Sequence, residues 1–339
     1  MADARGSAGE DPSSSLLPPL LRWAGPVLAC GYGLGGRLHR AITTPQPSPL
    51  PTICIGNITV GGTGKTPATK YFARELSKRG RKVAVLMRGY KGQGRDEAIE
   101  VTAALKDLNV PVLLGGDRLA SAQKAREQGR DLALLDDGFQ HWRLKRDLDI
   151  VLIDATNPFG GGHLAPWGRL RESPEALGRA GVVIITRSDM VEADNLSTLE
   201  KRISAYAPQA VIARARHRPA GLRSLDFKQT FPLEKLHGMP INMLCGIGHP
   251  EGFRRTLAQL GADIKRTVIC DDHDNSIDET LESFLQEAGP RPTIVTEKDA
   301  VKLEAISKAE RVWVLKIEFE MTRGEDKVWE KIMKSLAVQ

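Results

Sequence analysis

The chain has 339 residues, of which 41% are hydrophobic and 27% are charged. This length exceeds one typical core and the composition is ordinary for a soluble globular protein, so two domains are expected. The net charge of +6 favours anionic partners, but aromatic residues make up only 5% and no long run of Lys and Arg occurs, so we expect no nucleic-acid partner.

Cysteine and histidine spacing argues against the common zinc sites. The four cysteines form no Cys-x-x-Cys pair, and the seven histidines show no metal-ligand spacing. Buried free thiols suit a reducing cytoplasm. The cysteines are Cys30, Cys54, Cys245 and Cys270.

The N-terminal region divides into a polar tail over residues 1–15, which we expect to be disordered, and an apolar segment over residues 16–44. Prolines and arginines interrupt the apolar stretch Leu16–His39, whereas a membrane span needs roughly 20 unbroken apolar residues. We therefore predict a membrane-associating segment that lies on an anionic surface, with Arg22, Arg37 and Arg40 meeting lipid headgroups. The alternative is a helix that packs on its own domain.

Residues 45–220 alternate between short apolar runs and helical patterns, which predicts the first domain. A proline-rich connector leads into it, and a helix is expected at Pro67–Arg79. The alternation is typical of an α/β fold with a mostly parallel sheet, helices on both faces and ligands at the carboxyl ends of the strands. The predicted strands are Thr52–Ile55, Lys82–Met87, Leu132–Leu135, Ile150–Ile153 and Val182–Thr186.

Residues 221–339 repeat this alternation on a smaller scale, which predicts a second α/β domain. The predicted joint between the two domains is Pro219–Pro232. Helices are expected at Glu251–Leu260 and Ile277–Ala288. The predicted strands are Ile241–Cys245, Thr267–Cys270, Thr293–Thr296 and Val312–Phe319.

A glycine-rich loop between the first strand and the first helix of residues 45–220 indicates a phosphate-binding site. The run Gly56–Pro67 ends in Gly-Lys-Thr, although Thr59 stands where the G-x-x-x-x-G-K-[ST] pattern has glycine. Its backbone amides would surround the triphosphate of ATP, Lys65 would reach the outer phosphates, and Thr66 would bind Mg²⁺. The fold expected is therefore of the P-loop NTPase type. The predicted ATP-binding residues are Thr59, Val60, Gly61, Gly62, Thr63, Gly64, Lys65 and Thr66.

Acidic residues follow three of the apolar runs. Asp136 and Asp137 come directly after Leu132–Leu135, where such proteins hold Mg²⁺. Asp117 follows Val110–Leu114. Taken alone, the segment around Asp117 is best interpreted as a turn. The turn Thr186–Asp189 occupies the place of the guanine-reading Asn-Lys-x-Asp turn of GTPases, but its first two residues differ, so we interpret it as structure beside the nucleotide.

Several motifs together resemble the tetraacyldisaccharide 4'-kinase family, from about Leu16 to Thr322. The resemblance implies an ATP- and Mg²⁺-dependent kinase that phosphorylates the 4'-hydroxyl of a lipid A disaccharide 1-phosphate. It also implies peripheral or monotopic attachment at the cytoplasmic face of the Gram-negative inner membrane. We expect a monomer, although the sequence does not determine the oligomeric state. The motifs are Gly56–Pro67, Arg88-Gly89-Tyr90, Gly116-Asp117, Asp136–His141, Phe159–Glu172 and Asp271-Asp272-His273.

The resemblance also implies roles for individual residues. Asp117 matches the catalytic base and His273, from the second domain, its partner. Arg171 and Glu172 match an element near the transferred phosphate, with Arg171 catalytic and Glu172 a metal ligand beside Thr66, Asp136 and Asp137. The implied acceptor-binding residues are Arg88, Gln140 and His141. The chain departs from the family's Gly-Asp-Glu-Pro at Arg118 and Leu119.

Two other classes of protein share parts of this pattern. A P-loop GTPase or ATPase switch, or a metallochaperone, would account for the glycine-rich loop and the Thr186–Asp189 turn. A membrane-bound structural ATPase would rest on Leu16–His39 alone. Nucleotide preference with and without a disaccharide lipid separates these classes from a kinase.

Overall fold

The computed structural model describes residues 16, 23–89, 95–226, 228–271, 277–303 and 309–337. The predicted tail over residues 1–15 and the predicted catalytic partner His273 lie outside these residues. Within them, no helix is long and apolar enough to cross a membrane. In chain order the α-helices are α1 (Gly25–Ile42), α2 (Lys65–Lys78), α3 (Arg95–Leu105), α4 (Arg118–Glu127), α5 (Ala193–Tyr206), α6 (Pro250–Gln259), α7 (Ile277–Glu287), α8 (Glu297–Ala300) and α9 (Glu325–Leu336).

The strands of the described residues form one mixed sheet. In chain order they are β1 (Thr52–Asn57), β2 (Val83–Met87), β3 (Val112–Leu114), β4 (Leu132–Asp136), β5 (Leu148–Asp154), β6 (Val182–Thr186), β7 (Val211–Ser224), β8 (Thr230–Phe231), β9 (Pro240–Cys245), β10 (Asp263–Ile269), β11 (Thr293–Thr296) and β12 (Val312–Arg323). Across the sheet they run β10-β9-β11-β12-β7-β6-β5-β1-β4-β2-β3, and β8 pairs with β7.

Strand β1 lies in the middle of a parallel array with apolar cores on both faces. Every residue of β1, β2, β4 and β6 is buried, as expected for parallel strands covered on each side. Phe72 of α2 lies in the core on one face and Phe139 in the core on the other. The predicted mostly parallel α/β fold is confirmed.

The segment predicted as the joint between two domains is instead largely regular structure. Strand β7 runs to Ser224 and pairs antiparallel with β12 over most of its length. The pairing tolerates Pro219 because the register shifts by one residue between Pro219 and Gly221, and prolines in sheets occur at such irregularities. The boundary at 220/221 thus falls inside a strand, and the division into two domains stays a prediction.

Helix α1 packs one face on the protein and exposes the other. A Cβ on Gly25 would lie 2.7 Å from Trp167, and one on Gly33 would lie 2.6 Å from Leu164, so glycines allow close packing on this side. The opposite face exposes large apolar side chains such as Val27, exposed by 75%, and Trp23, just before the helix, is exposed by 81%. Packing on the protein therefore accounts for one face of α1 and leaves the other largely exposed.

Candidate active site

Glycines shape the loop from β1 to α2. Gly61 and Gly64 have φ angles of 117° and 86°, a region that side chains disfavour. A Cβ on Gly64 would also lie 2.4 Å from Nε2 of His217. Helix α2 follows Gly64 directly and has no side-chain cap, so its first amides are left free to bind an anion.

Side chains from three strands hold this loop in place. Asn57 Nδ2 donates to Thr63 Oγ1 at 3.0 Å, and Thr186 Oγ1 donates to the Thr63 carbonyl at 3.0 Å. Arg187 donates to the Gly62 carbonyl at 2.9 Å and pairs with Asp154. The Thr186–Asp189 turn, predicted to lie beside the nucleotide, therefore contacts the phosphate loop itself.

A second segment runs antiparallel to the loop and delivers an arginine. The Val60 amide donates to the Arg169 carbonyl at 2.6 Å, and the Arg171 amide donates to the Ile58 carbonyl at 2.7 Å. These bonds fix the backbone on both sides of Leu170, which pairs with Thr59. Arg171, predicted from the resemblance alone, is thereby placed beside the phosphate loop.

Asp137 is the acid on which the cationic side chains converge. Arg171 Nη1 lies 2.9 Å and 3.0 Å from its two carboxylate oxygens, and Lys65 Nζ lies 3.7 Å from Oδ1. Burial opposes ionisation, but the charges of Lys65 and Arg171 hold the pKa of Asp137 below its ordinary value. The structure therefore brings together three residues that were predicted as parts of one site.

Asp136 is buried beside this ionic group and has a different character. Its Oδ1 accepts a hydrogen bond from Thr69 at 2.6 Å. Burial raises its pKa to about 6, and the neighbouring charge of Asp137 acts in the same direction. A buried carboxylate that resists ionisation is stabilised by a cation.

The donor set around the loop fits Mg²⁺. The described residues contain no cluster of three or more His, Cys, Asp and Glu side chains. Mg²⁺ usually takes only one or two carboxylates and completes its shell with phosphate oxygens and water. Thr66, at the start of α2, and the buried, cation-deficient Asp136 next to Asp137 meet that requirement.

Glu172, also predicted as a metal ligand, is engaged by other side chains. Its Oε1 accepts from Gln140 Nε2 at 2.9 Å and from Arg179 Nη2 at 3.1 Å. Gln140 Nε2 also donates to the Asn57 carbonyl at 2.9 Å. Gln140 thus joins Glu172 to the end of β1, and both of their predicted binding roles stay predictions.

Asp117 caps helix α4. Its Oδ1 accepts from the amides of Leu119 at 2.9 Å and Ala120 at 3.1 Å. The bond from Ala120, and also that from Leu119, lowers the pKa of this exposed carboxylate. Asp117 is thus an N-cap with an extended backbone rather than a turn residue, its carboxylate is ionised at neutral pH, and its catalytic role stays a prediction.

His141 lies within electrostatic reach of Asp117. Burial, followed by the charges of Arg118, Arg146 and Arg143, lowers the pKa of His141 to about 4, whereas Asp117 opposes the shift. The imidazole is therefore neutral at physiological pH. Arg88, the third predicted acceptor-binding residue, is exposed directly after β2.

Sequence reasoning missed two residues of this region. Arg118 is buried, with 2% of its surface exposed, and its Nη1 donates to the Gly115 carbonyl. Burial lowers its pKa while the charge of Asp136 opposes the shift. The departure from the family motif at Arg118 was the available signal. His217 packs on Gly64 from β7, and no local pattern in the sequence indicates that contact.

These features define a class of protein. A glycine loop joins the central parallel strand to a helix that begins with lysine, and two acids end the neighbouring strand. This arrangement is typical of P-loop NTPase-type α/β proteins, which bind a nucleotide at this place. The sequence profile of the tetraacyldisaccharide-1-P 4'-kinase family matches residues 21–337. The chain belongs to that family, which confirms the prediction of a kinase over a switch, a metallochaperone or a structural ATPase.

Similar proteins agree with this assignment. A tetraacyldisaccharide 4'-kinase of Anaeromyxobacter sp. (strain K) is 36% identical over 332 residues, covering 91% of this chain and 88% of the relative. One from Elusimicrobium minutum is 37% identical over 271 residues, covering 74% of this chain and 72% of the relative. The crystal structure of LpxK from Aquifex aeolicus in complex with ATP shares the fold, with a TM-score of 0.73, 24% identity and coverage of 93% of this chain and 99% of that one.

Proposed function

We propose that this protein transfers the γ-phosphate of ATP to the 4'-hydroxyl of a tetraacyldisaccharide 1-phosphate, with Asp117 as the base. The observation that carries the proposal is the ionic group of Lys65, Asp137 and Arg171 at the mouth of the phosphate loop. Phosphoryl transfer depends mainly on positioning and on stabilising negative charge. Two cations held by one acid beside the free first amides of α2 meet both needs.

The triphosphate would lie against the loop Thr59–Thr66, chiefly at the first amides of α2, because the Val60 and Thr63 amides already donate to backbone carbonyls. Lys65 and Arg171 would then exchange part of their contact with Asp137 for phosphate oxygens. Thr66 and Asp136 or Asp137 would hold Mg²⁺, which neutralises charge on the phosphate oxygens when bound. The LpxK of Aquifex aeolicus, which shares this fold, was crystallised with ATP.

Asp117 would accept the proton of the attacking hydroxyl. It lies on an exposed helix N-terminus close to His141, so an acceptor can approach it from solvent. The two amide bonds hold its pKa low, which makes it a weak base until the bound acceptor or His273 replaces them. Arg88, Gln140 and His141 follow neighbouring strands and would contact the sugar or its 1-phosphate.

The exposed face of α1 supports contact with an anionic membrane surface at the cytoplasmic face of the inner membrane. Trp23, Val27, Leu34, Leu38 and Ile42 each expose more than half of their surface. An amphipathic helix with this face and basic residues in its last turn binds at a lipid interface. The acceptor carries four acyl chains by its name, so an enzyme lying on the membrane meets it there.

Product analysis tests this proposal. The full chain is incubated with γ-labelled ATP, Mg²⁺ and tetraacyldisaccharide 1-phosphate in detergent micelles, and the lipid product is examined by mass spectrometry and ³¹P NMR. We expect a bisphosphorylated lipid labelled at the 4'-position, and none from folded Lys65→Ala protein. A preference for GTP, or hydrolysis that ignores the lipid while no labelled lipid forms, would instead support a nucleotide switch.

A further inference from the structure

A basic cleft lies at the amino-terminal ends of the central strands, whereas the phosphate loop lies at their carboxyl ends. It has a volume of about 310 Å³ and is located where β5 begins, at Leu148. The phosphate loop follows the end of β1, which is parallel to β5, so the two places are separated by the length of the strands. The charged side chains that line the cleft are Arg146, Asp147, Asp149, Arg179, Lys331 and Lys334.

Positive charge exceeds negative charge in this cleft. Arg146 and Asp149 neutralise each other through two bonds of 2.9 Å and 3.2 Å. Asp147 uses one carboxylate oxygen to accept the Thr52 amide at 2.7 Å. Lys331 and Lys334 pair with no acidic side chain among the described residues. A group of cations without matching acids attracts an anion.

Arg179 has donors that the described residues do not satisfy. Its guanidinium carbon lies 4.2 Å from the ring centre of Phe139 and 4.4 Å from that of Trp142. Nη2 donates to Glu172, but Nε and Nη1 are buried without a hydrogen-bond partner in the described part of the chain. Unpaired buried donors on a charged group are unfavourable. Arg179 lines the cleft, so a small movement of its side chain would let an anion there accept a hydrogen bond from them.

We propose that this cleft is a second anion site, which binds a phosphate-class group separately from the phosphate loop. Its volume lies at the lower end of small-molecule sites, so it suits a phosphate ion or a phosphate headgroup rather than a nucleotide. Lys331 is positioned by its stem, because a Cβ on Gly181 would lie 3.4 Å from Lys331 Cε. Its ammonium and that of Lys334 supply the charge that such a group requires.

The cleft is connected to the active site by a chain of hydrogen bonds. Arg179 contacts Glu172, Glu172 contacts Gln140, and Gln140 Oε1 lies 3.4 Å from Arg171 Nη1. An anion that draws Arg179 away from Glu172 would loosen this chain. The anion could be free in solution or part of a lipid, since Arg40 at the end of α1 lies 4.9 Å from the Trp142 ring centre.

Calorimetric titration of the full chain tests the proposal. Saturating Mg²⁺ and a non-hydrolysable ATP analogue first occupy the phosphate loop, so that any further binding is to another site. Inorganic phosphate and a short-chain phosphatidic acid below its micelle concentration are then titrated separately. The variants are Lys331→Gln/Lys334→Gln and the matched control Lys327→Gln, which removes an exposed lysine of the same helix outside the cleft.

We expect saturable binding to wild type and to Lys327→Gln, weakened at least about tenfold in the double variant because two charge-assisted contacts are lost. Binding of inorganic phosphate indicates a free ion as the source, and binding of the phosphatidic acid alone indicates a headgroup. Circular dichroism melting confirms that the variants remain folded. No saturable binding of either probe to wild type, or equal binding to the folded double variant, would overturn the proposal.

Discussion

Asp136 and Asp137 are neighbours in sequence with opposite tendencies. Asp137 faces Lys65 and Arg171 and is stabilised as a carboxylate. Asp136 is buried with a single hydroxyl donor, and its pKa rises to about 6. Their difference arises because β4 ends at the buried Asp136, whereas Asp137 lies beyond the strand with a φ angle of 49° and faces the loop. Asp137 thus positions the cations that would meet the phosphates, and the adjacent Asp136 is the carboxylate that a metal ion would stabilise.

Replacing Asp136 with Asn should stabilise the metal-free protein while removing activity. Because the folded-state pKa lies above the ordinary 3.8, the ionised form costs stability, and this cost grows as the pH rises through 6. Asn keeps an oxygen for Thr69, so at pH 7.5 we expect a gain of up to about 3 kcal/mol in the free energy of unfolding.

Urea unfolding in EDTA measures this gain. It should shrink below about 1 kcal/mol at pH 4, where the folded wild-type carboxyl is already protonated. Mg²⁺-dependent transfer should meanwhile fall at least about a hundredfold, as expected for the loss of a metal ligand. A gain that is independent of pH would mean that ionisation of Asp136 is not its cause.

His217 should make the protein sensitive to acid. Burial, with the charges of Arg187 and His249, lowers its pKa from 6.5 to about 3. The unfolded chain therefore binds the proton first, and stability falls as the pH drops from 6.5 toward 3. Between pH 7 and pH 5 this residue should remove about 2 kcal/mol of stability.

The difference in unfolding free energy between pH 7 and pH 5 checks this prediction. In His217→Gln the loss over that interval should be smaller by about 2 kcal/mol, whatever the variant's stability at pH 7. His39→Gln, which alters an exposed histidine of α1, should behave as wild type. An unchanged pH dependence in His217→Gln would show that its imidazole titrates normally.

At the scale of elements, α1 has one side packed on the protein and one side of exposed apolar residues. Gly25 and Gly33 allow it to pack closely on Trp167 and Leu164, whereas Leu34 and Leu38 on its outer side are exposed by 67% and 61%. Deleting the helix would remove the exposed apolar side and also uncover the protein surface beneath the packed side. A loss of membrane binding could then not be separated from a loss of stability. Charged substitutions on the exposed side leave the packed side unchanged.

Leu34→Glu/Leu38→Glu should weaken binding to anionic vesicles without affecting ATP affinity. Buried apolar area and attraction to anionic lipid both contribute to interfacial binding, and the substitutions remove one and oppose the other. Sedimentation with vesicles measures the effect, with Ile99→Glu on α3 as a control for an exposed apolar residue elsewhere. Equal sedimentation of all three proteins would mean that α1 does not contact the membrane.

Elements differ in how well their sequence predicts them. Strands β1, β4 and β6 are short apolar runs, and the sequence placed them within one residue at each end, apart from the extension of β1 to Asn57. Strand β7 is 14 residues long, but its sequence alternates arginines with small residues and so lacks the apolar run that indicates a strand. Its arginines are accommodated in the sheet because Arg216 and Arg218 pair with acids on β12. Strand β10 begins four residues before the predicted Thr267, since it is a largely exposed edge strand with no apolar run.

For the molecule as a whole, the unpredicted features are contacts between distant segments. Lys70 of α2 pairs with Glu100 of α3 at 2.8 Å and with Glu297 of α8 at 3.3 Å. His217 packs on Gly64 in the same way, across a long stretch of sequence. The phosphate loop and its acids are local signals, so a sequence can show them. Contacts such as these depend on the sheet order, which a single sequence does not contain.

Single-turnover transfer by Asp117→Asn tests the central claim most directly. Asn is as good a helix N-cap as Asp, so α4 keeps its cap while the proton acceptor is removed. Transfer of labelled γ-phosphate to tetraacyldisaccharide 1-phosphate is measured at saturating ATP, beside the dissociation constant for the nucleotide. We predict that the rate falls by about a thousandfold, as for the loss of a general base, with nucleotide affinity unchanged. A rate within about tenfold of wild type would contradict the role of Asp117 as the base.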